Sequence, residues 1–290
     1  MKFETCVSAI AGACLLGTAP LASAIDVAYT DFADVSALQL NDRAATVGNS
    51  VTDDQGRKVL RLTDNYSQKG SAFLKTAVSL ADDLSFSSYF QFRMTQGDGF
   101  VESGEGSVKG ADGIVFALNT VNNYTGLAGE GLGYRGFWFG AGIEFDTFNN
   151  GSHVDADGNH VGIDLDGSVN SVIARKVTSG LFNNGQIWSA WVDYDGVADT
   201  LQVRVAQGAA ATRPDDAFIE YVVDLDAKAL GDDVYFGFTA STGSLRNHQD
   251  ILRWEFSTKP VAPPVPEPAS IALLGLGGLV LAARARRRRA

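Results

Sequence analysis

Short runs of alternating apolar and polar residues, separated by Gly, Asn and Asp, fill the chain from residue 25 to residue 258. Because successive strand side chains point to opposite faces, such runs are typical of strands with one buried face. The clearest runs cover residues 59–63, 86–93, 188–194, 201–205 and 234–239. Only residues 225–230 indicate a helical turn, and we expect Trp188 and Trp191 to lie in the core. About a dozen such strands without an internal repeat predict an all-β fold, a single antiparallel jelly-roll sandwich.

The first 24 residues differ from this body. They combine Lys2 with an apolar run over residues 7–21 and a triplet of small residues at 22–24. This order is typical of a secretory signal peptide. Both cysteines of the chain lie in this leader, so we expect the exported protein to need no disulfide and no thiol chemistry.

The C-terminal end combines three features. Residues 259–264 form a Pro-rich linker, which we expect to be extended and stiff. Residues 265–290 contain the sequence Val-Pro-Glu-Pro-Ala-Ser, then an apolar stretch over residues 271–283, then a cluster of five arginines. This stretch is shorter than the roughly 20 residues that a permanent membrane span needs. We expect a short transmembrane helix whose arginines are held on the cytoplasmic side.

The charge of the body limits its partners. The whole chain has a net charge of −11, and removal of the neutral leader and the five tail arginines leaves a body of −16. Such an acidic body repels the phosphates of nucleic acid and attracts divalent cations. We therefore expect no nucleic-acid partner.

Oxygen and imidazole donors are concentrated between residues 144 and 160. Glu144 and Asp146 project from the same face of a predicted strand, where two carboxylates repel each other unless a proton, a base or a cation intervenes. No Lys or Arg occurs between Arg135 and Arg175. Further donors follow at Asn149, Asn150, Asp155, Asp157, Asn159 and His160. Oxygen donors suit calcium, and a mixed carboxylate and imidazole set suits manganese or zinc, so the sequence predicts a metal site here.

The spacing of these donors resembles a known family. Glu-Phe-Asp-Thr-Phe-x-Asn at 144–150, then Asp155, His160 and Gly-Ile-Asp, is similar to the double-metal loop of the legume-type (L-type) lectins. Segments at 32–40, 59–63, 85–92, 111–117, 191–195, 237–243 and 251–256 resemble the strands and final loop of that family in the same order. The resemblance implies a concanavalin A-like sandwich over residues 25–258 that binds carbohydrate and is not an enzyme.

The resemblance also implies a ligand set for two metals. A transition metal such as Mn²⁺ would be bound at the positions of Glu144, Asp146, Asp155 and His160. Ca²⁺ would be bound at the positions of Asp146, Asp155, Asn150 and the carbonyl of Phe148. Ser171 matches a serine that contacts the transition metal through water, although Gly167 is inserted before it.

Four residues match the carbohydrate contacts of the family. Asp112 would accept hydrogen bonds from two sugar hydroxyls, and in the family the peptide before it is cis and supported by calcium. Gly131, in a Gly-rich run, would offer a backbone N–H. Asn150 would donate its amide, and the ring of Phe148 would stack on the sugar. Residues 244–247 lie in the loop that varies with specificity.

The tail resembles the PEP-CTERM sorting signal of Gram-negative bacteria. This resemblance implies export through the inner membrane and recognition and removal of the tail by an exosortase-type enzyme. The protein would reside in the cell envelope, at the cell surface or in the extracellular matrix. Organisms with this system make exopolysaccharide, so we expect a glycan or exopolysaccharide as the partner.

Two other functions are compatible with such a fold. A retaining glycoside hydrolase needs a second carboxyl group about 5 Å from the first. The place of its second glutamate is taken here by Phe148 and Asn149. A structural matrix protein would keep the core but lose Asp112 or Asn150, and both are present. The sequence therefore favours binding over catalysis.

Overall fold

The structure is a computed structural model. It describes residues 24–49, 51–98, 100–103, 106–151, 155 and 157–259. The predicted signal peptide up to residue 23 and the predicted linker and sorting segment from residue 260 lie outside these residues, so the domain bounds at both ends stay predictions. Within the described ranges, no helix is long and apolar enough to span a bilayer.

The described chain consists mainly of short strands, as the alternating pattern predicts. The elements in chain order are β1 (Asp26–Tyr29), β2 (Leu38–Asp42), α1 (Arg43–Val47), β3 (Leu60–Thr63), β4 (Lys69–Leu74), β5 (Phe86–Asp98), β6 (Phe100–Ser103), β7 (Gly106–Lys109), β8 (Gly113–Asn119), β9 (Ala141–Asp146), β10 (His160–Leu165), β11 (Ile173–Lys176), β12 (Trp188–Asp195), β13 (Thr200–Gln207), β14 (Ile219–Val222), α2 (Leu225–Lys228), β15 (Tyr235–Ser241) and β16 (Arg246–Ser257). The predicted helical turn is confirmed as α2. A 3₁₀ turn at Gly129–Gly131 precedes β9.

Two seven-stranded antiparallel sheets face each other. Sheet I has the order β1-β16-β5-β12-β13-β14, with β3 also paired to β16. Sheet II has the order β11-β10-β9-β8-β15-β4-β2. The hairpin β6-β7 is separate from both. The prediction of a single all-β sandwich is confirmed.

Aromatic side chains fill the space between the sheets. Phe90 of sheet I lies 5.6 Å from Phe116, 5.6 Å from Phe145 and 5.0 Å from Phe238 of sheet II, measured between ring centroids. All four rings are fully buried. Because Phe145 points into this core, the residues on either side of it in β9 point to the outer face of sheet II.

Two details differ from the sequence predictions. The segment over residues 31–37 forms bends and turns, and a strand begins only at Leu38. Trp188 is buried between the sheets, but Trp191 is only partly buried and lies on the outer face of sheet I. The prediction of two core tryptophans is therefore wrong for Trp191. The two residues are three positions apart, and a strand places such residues on opposite faces.

Candidate metal and carbohydrate site

Three neighbouring strands bring the predicted ligands together. In the antiparallel register, Asp146 at the end of β9 lies opposite His160 at the start of β10. On its other side, Asp146 lies opposite Gly113 at the start of β8, directly after Asp112. Residues that are far apart in sequence thus meet where three neighbouring inner strands of sheet II begin or end.

Glu144, Asp146 and His160 form a compact group on the outer face of this sheet. One ligand atom of each lies within 4.8 Å of the other two, and all three side chains are buried. Nε2 of His160 lies 2.9 Å from Oε1 of Glu144, and Nδ1 lies 3.0 Å from the backbone oxygen of Asp157. These two contacts fix the orientation of the imidazole ring, as is usual for metal-binding histidines.

A third buried acid, Asp164, joins this group and was missed by the sequence analysis. Asp164 is fully buried on β10. The hydroxyl of Ser171 lies within hydrogen-bond distance of Oε1 of Glu144 and 2.9 Å from Oδ1 of Asp164. The alternation of strand faces could have found Asp164, because His160, Gly162 and Asp164 share one face. The contact with Glu144 places Ser171, in spite of the inserted Gly167, beside the predicted ligands.

Gly162 leaves the room that this group needs. A Cβ atom at this position would lie 2.3 Å from Oε1 of Glu144 and 2.2 Å from the hydroxyl of Ser171. Real Cβ atoms do not approach other atoms so closely, so a side chain at this position would displace the Glu144 carboxylate and the Ser171 hydroxyl.

The loop after β9 is held by the predicted ligands themselves. The N–H of Phe148 donates to Oδ1 of Asp146 at 2.6 Å, and the N–H of Asn150 donates to Oδ2 of Asp155 at 2.6 Å. The N–H of Asp155 donates to the carbonyl of Gly151 at 2.9 Å. Phe148 and Asn150 are half-buried, so part of each remains accessible at the surface.

Asp112 lies at the junction of several loops. The Ala111–Asp112 peptide is cis, as the resemblance implies. The Asp112 carbonyl accepts hydrogen bonds from the N–H and the hydroxyl of Thr147 at 2.9 and 2.8 Å. A Cβ atom at Gly243 would lie 3.4 Å from both Oδ2 of Asp112 and Cα of Gly129. Gly243, which has no side chain, therefore lies directly beside the buried Asp112 carboxylate.

The predicted role of Gly131 is not supported by its own N–H, which donates to the carbonyl of Ala128 at 3.3 Å within the 3₁₀ turn. Which N–H of a Gly-rich turn is free depends on the fold of the turn, and sequence spacing does not give this.

The site contains buried oxygens without donors. Among the described residues, these atoms are Oδ2 of Asp112, Oε2 of Glu144, Oδ1 of Asn150 and Oδ2 of Asp164. Buried polar atoms are rarely left without a partner. Carboxylate and amide oxygens are the ligands that Ca²⁺ prefers, and the addition of imidazole suits Mn²⁺. The residues present therefore fit the two metals that the resemblance implies.

The pKa values of three carboxyl groups of the site also indicate that it lacks positive charge. Burial, together with the charges of Asp155 and Glu130, raises the pKa of Asp112 to about 7. Burial raises the pKa of Asp155 to about 6, although the hydrogen bond from the Asn150 N–H opposes the shift. Burial and the neighbouring acids raise the pKa of Asp146 well above its ordinary value. A divalent cation would stabilise the ionised forms of all three.

Comparisons with known proteins identify the family. Residues 24–271 match the profile of the legume lectin domain. The chain belongs to the legume lectin family. Residues 264–289 match the PEP-CTERM protein-sorting motif, which implies export and a location at the cell surface or in the envelope. The predictions of a legume lectin and of a sorting motif are both confirmed. Legume lectins generally bind Ca²⁺ and Mn²⁺, and the group around Glu144 could hold such an ion.

Several curated relatives also carry lectin domains. The L-type lectin-domain containing receptor kinase I.8 of Arabidopsis thaliana is 32% identical over 219 residues, which is 69% of this chain and 32% of the kinase. Receptor kinase VIII.1 of the same plant is 31% identical over 180 residues, or 60% of this chain and 24% of that protein. The chain thus spans a third or less of these two relatives, which are kinases only through other domains. A seed lectin of Cytisus scoparius, named as binding 2-acetamido-2-deoxy-D-galactose, is 27% identical over 192 residues, covering 62% of this chain and 73% of the lectin.

Solved lectin structures have the same fold. The basic winged bean lectin with Tn-antigen superposes with a TM-score of 0.65 at 26% identity, covering 81% of this chain and 98% of that chain. Peanut lectin with a nonapeptide gives a TM-score of 0.65 at 25% identity, covering 81% and 97%. The predicted concanavalin A-like jelly roll is confirmed, and lectins of this family are typically not enzymes.

Proposed function

We propose that this legume lectin is an exported carbohydrate-binding protein whose sugar site is ordered by calcium and a transition metal. The observation that carries this proposal is the Asp112 side chain. It is 4% exposed and has a carboxylate oxygen without a donor in the described part of the chain. Gly243, which has no side chain, leaves room for a carbon atom 3.4 Å from that oxygen. An unpaired acceptor next to such a space is suited to hydroxyl donors of a ligand.

The two metals would be held by the loop that follows β9. Glu144, Asp146, Asp155 and His160 would hold the transition metal, and Asp146, Asp155, Asn150 and the Phe148 carbonyl would hold calcium. When bound, the cations would neutralise acids that are otherwise buried without a basic partner. The residues of the chain then keep the loop in one conformation through the N–H groups of Phe148 and Asn150.

The proposed sugar contacts lie next to this loop. Asp112 would accept hydrogen bonds from two hydroxyls, and Asn150 would donate its amide to the same hydroxyls. The ring of Phe148 would pack against the apolar face of the sugar. For the backbone donor we propose the turn Gly129–Gly131, with Gly131 as the predicted residue and Glu130 as the alternative, because the Gly131 N–H also donates to the Ala128 carbonyl at 3.3 Å.

The proposed ligand is a glycan of the cell surface or matrix, such as exopolysaccharide. The sorting motif supports this ligand because it directs the protein to the cell surface or envelope. We also propose that residues 1–24 are a removed leader, that the lectin domain covers 25–258 and that an exosortase-type enzyme of a Gram-negative bacterium processes 265–290. These assignments rest on the sequence pattern of both ends.

A glycan array with calcium and manganese, and again with EDTA, tests the proposal. We expect the Asp112→Ala variant to lose glycan retention while it still binds both metals, and Asp146→Ala to lose metals and glycan together. Asp233→Ala removes an acid that is exposed at the start of β15, and it should behave like the wild type.

Two results would contradict the proposal. One is that glycans whose retention depends on Asp112 are retained equally well in EDTA and in calcium. The other is unchanged retention by Asp112→Ala in calcium. Release of reducing sugar from the retained glycans would instead indicate a glycoside hydrolase.

A further inference from the structure

A groove of about 530 Å³ lies on the outer face of sheet I. Strands β1, β16, β5 and β12 form its floor, and Arg213, from the segment after β13, lies at its side. Small-molecule sites in proteins have volumes of roughly 300–1,000 Å³, and the groove falls within this range. None of the residues proposed for metal or sugar binding above lines it.

The strand register arranges the groove side chains in two rows across the sheet. The first row consists of Ala28, Glu255, Tyr89 and Trp191. The second row consists of Asp26, Ser257, Ser87 and Asp193. Because adjacent strands are about 4.8 Å apart, each row spans about 14 Å over four strands. Two adjacent aromatic side chains of the first row, Tyr89 and Trp191, thus lie beside a row of hydrogen-bonding groups.

The aromatic floor is held in place by neighbouring contacts. The rings of Tyr89 and Trp191 are 5.2 Å apart between centroids and inclined by 32°. The Tyr89 hydroxyl accepts a hydrogen bond from Nε2 of Gln91 at 2.7 Å. The guanidinium of Arg253 lies 5.7 Å from the centroid of the Tyr89 ring. Both rings are half-buried, so each keeps part of a flat apolar surface exposed.

The charges around the groove are balanced. Asp193 is paired with Arg204 at 3.2 Å and also with Arg213. Glu255 pairs with Arg253, and Asp26 pairs with Lys259, so every acid lining the groove has a cation beside it. The hydroxyl of Ser87 donates to Asp193 at 2.7 Å. A groove in which each acid is paired with a cation, and which is rich in donors and acceptors, suits an uncharged polar ligand better than a phosphate, a nucleic acid or a cation.

We propose that this groove is a second carbohydrate site, specific for a neutral glycan. The apolar face of a sugar ring would stack on Tyr89 and Trp191, and its hydroxyls would bond to the row of Asp26, Ser87 and Asp193. No residue of the groove belongs to the metal cluster, so binding here does not require calcium.

The groove and the Asp112 site lie far apart on the molecule. β16 begins at Arg246, in the loop beside Gly243, and ends at Ser257 in the groove. A twelve-residue strand spans about 35 Å, so the groove and the Asp112 site lie near opposite ends of the molecule. One chain could therefore hold two glycan segments at once and gain avidity from the second contact.

An aromatic groove can also take a Pro-rich segment, and the chain continues from Lys259 into such a sequence. The second row of the groove argues for the glycan, because its two acids and two serines need hydrogen-bond donors, and a Pro-rich segment has few N–H groups to offer. The test therefore includes a synthetic peptide with the sequence of residues 260–268.

The test uses the purified full chain on an array of neutral polysaccharides in EDTA, where the metal site is inactive. We expect the wild type to be retained, Trp191→Ala to bind at least about tenfold more weakly, and Trp191→Phe to recover most of the loss. Trp138→Ala removes a tryptophan that is 81% exposed outside the groove, and it should bind like the wild type. Because Trp191 lies outside the core, near-ultraviolet circular dichroism should show that its variants are folded.

Three results would overturn the proposal. The first is that no neutral polysaccharide retains the wild type in EDTA. The second is that Trp191→Ala binds as well as the wild type. The third is that the peptide, and no glycan, quenches tryptophan fluorescence in the wild type but not in Trp191→Ala. This result would assign the groove to the chain's own Pro-rich segment. Binding at the Asp112 site is measured separately, as the glycan retention that requires calcium and is lost in Asp112→Ala.

Discussion

At the scale of single residues, the dominant feature is a set of buried acids that outnumber the basic side chain beside them. Glu144, Asp146 and Asp164 are at most 2% exposed, and the partners nearest to them are His160 and the hydroxyl of Ser171. Burial of an ionised carboxylate without a matching cation costs several kcal/mol. Burial lowers the pKa of His160, but its hydrogen bond to Glu144 and the nearby acids outweigh this effect and raise the pKa. One imidazolium cannot balance three carboxylates, so protons or metal ions must complete the site.

The stability of the protein should therefore depend on pH in opposite ways with and without metal. In the metal-free protein the pKa of Asp155 is about 6 and that of Asp112 about 7, against an ordinary value of 3.8. A carboxyl whose pKa is higher in the folded state favours folding while protonated, and this contribution is lost as the pH rises through the folded-state pKa. Metal binding requires the ionised forms.

We expect the free energy of unfolding in EDTA to fall between about pH 4 and pH 7, by on the order of a few kcal/mol. The gain in stability from saturating Ca²⁺ and Mn²⁺ should grow over the same interval. Urea denaturation at several pH values, with and without metal, measures both. Asp112→Asn should flatten the upper part of the EDTA curve, because it removes the group with the pKa of about 7. A metal effect of equal size at every pH would contradict this account.

The period of the strands explains which site residues the sequence could predict. Glu144 and Asp146 alternate with the core residue Phe145, so their common face followed from spacing alone. The same rule could have added Asp164. By contrast, the hydrogen bonds of the 3₁₀ turn at Gly129–Gly131 are not encoded in the spacing of residue types. The three-residue spacing of Trp188 and Trp191 shows that only one of the two rings can face the core, but it does not show which one.

At the scale of elements, neighbouring strands supply the ligands and loops hold them in place. The register of β8, β9 and β10 is long-range, so the sequence predicts the strands but not which of them pair. The predicted run 59–63 contains β3, which has only four residues, whereas β1, of the same length, lies outside the predicted runs. The bends at residues 31–37 replace part of an expected strand, because short segments carry weak periodicity.

Asn159 connects the metal loop to the segment after β11. Its amide donates to the carbonyls of Val177 and Gly180 at 2.9 Å each, and its oxygen accepts from the N–H of Phe182 at 3.0 Å. The side chain is 4% exposed and adjoins His160 in sequence. It therefore fixes the start of β10 against a second loop.

We expect Asn159→Ala to lower the free energy of unfolding by about 1–3 kcal/mol, because it leaves buried backbone groups without partners. The affinity for manganese should fall as well, since the backbone that carries His160 is no longer fixed. Urea midpoints at an unchanged denaturant slope measure the first effect, and calorimetric metal titration measures the second. Asn170→Ala changes an exposed asparagine of a nearby turn and should alter stability by less than about 0.5 kcal/mol. Equal behaviour of the two variants would show that Asn159 is not a structural tie.

At the scale of the whole molecule, the core and the metal site consist of different residues on different faces of the sheets. The aromatic rings between the sheets, such as Phe90 and Trp254, contact one another and not the metal cluster. The metal loop lies on the outer face of sheet II, and the proposed groove lies on the outer face of sheet I. The sandwich thus has one interior that gives stability and two outer faces that are available for ligands.

This separation predicts a local response to metal removal. The N–H groups of Phe148 and Asn150 donate to Asp146 and Asp155, which are also proposed metal ligands. Without metal these acids repel each other and take up protons, and a protonated carboxyl is a weaker acceptor. We expect hydrogen exchange at both amides to be at least about tenfold faster in EDTA than in calcium and manganese. Amides of β5 and β16 should keep their protection, because their hydrogen bonds and aromatic packing do not involve the loop. Asp146→Ala should show the fast exchange even with metal present. Uniform acceleration across the core strands in EDTA would mean that the metals stabilise the entire sandwich rather than this one loop.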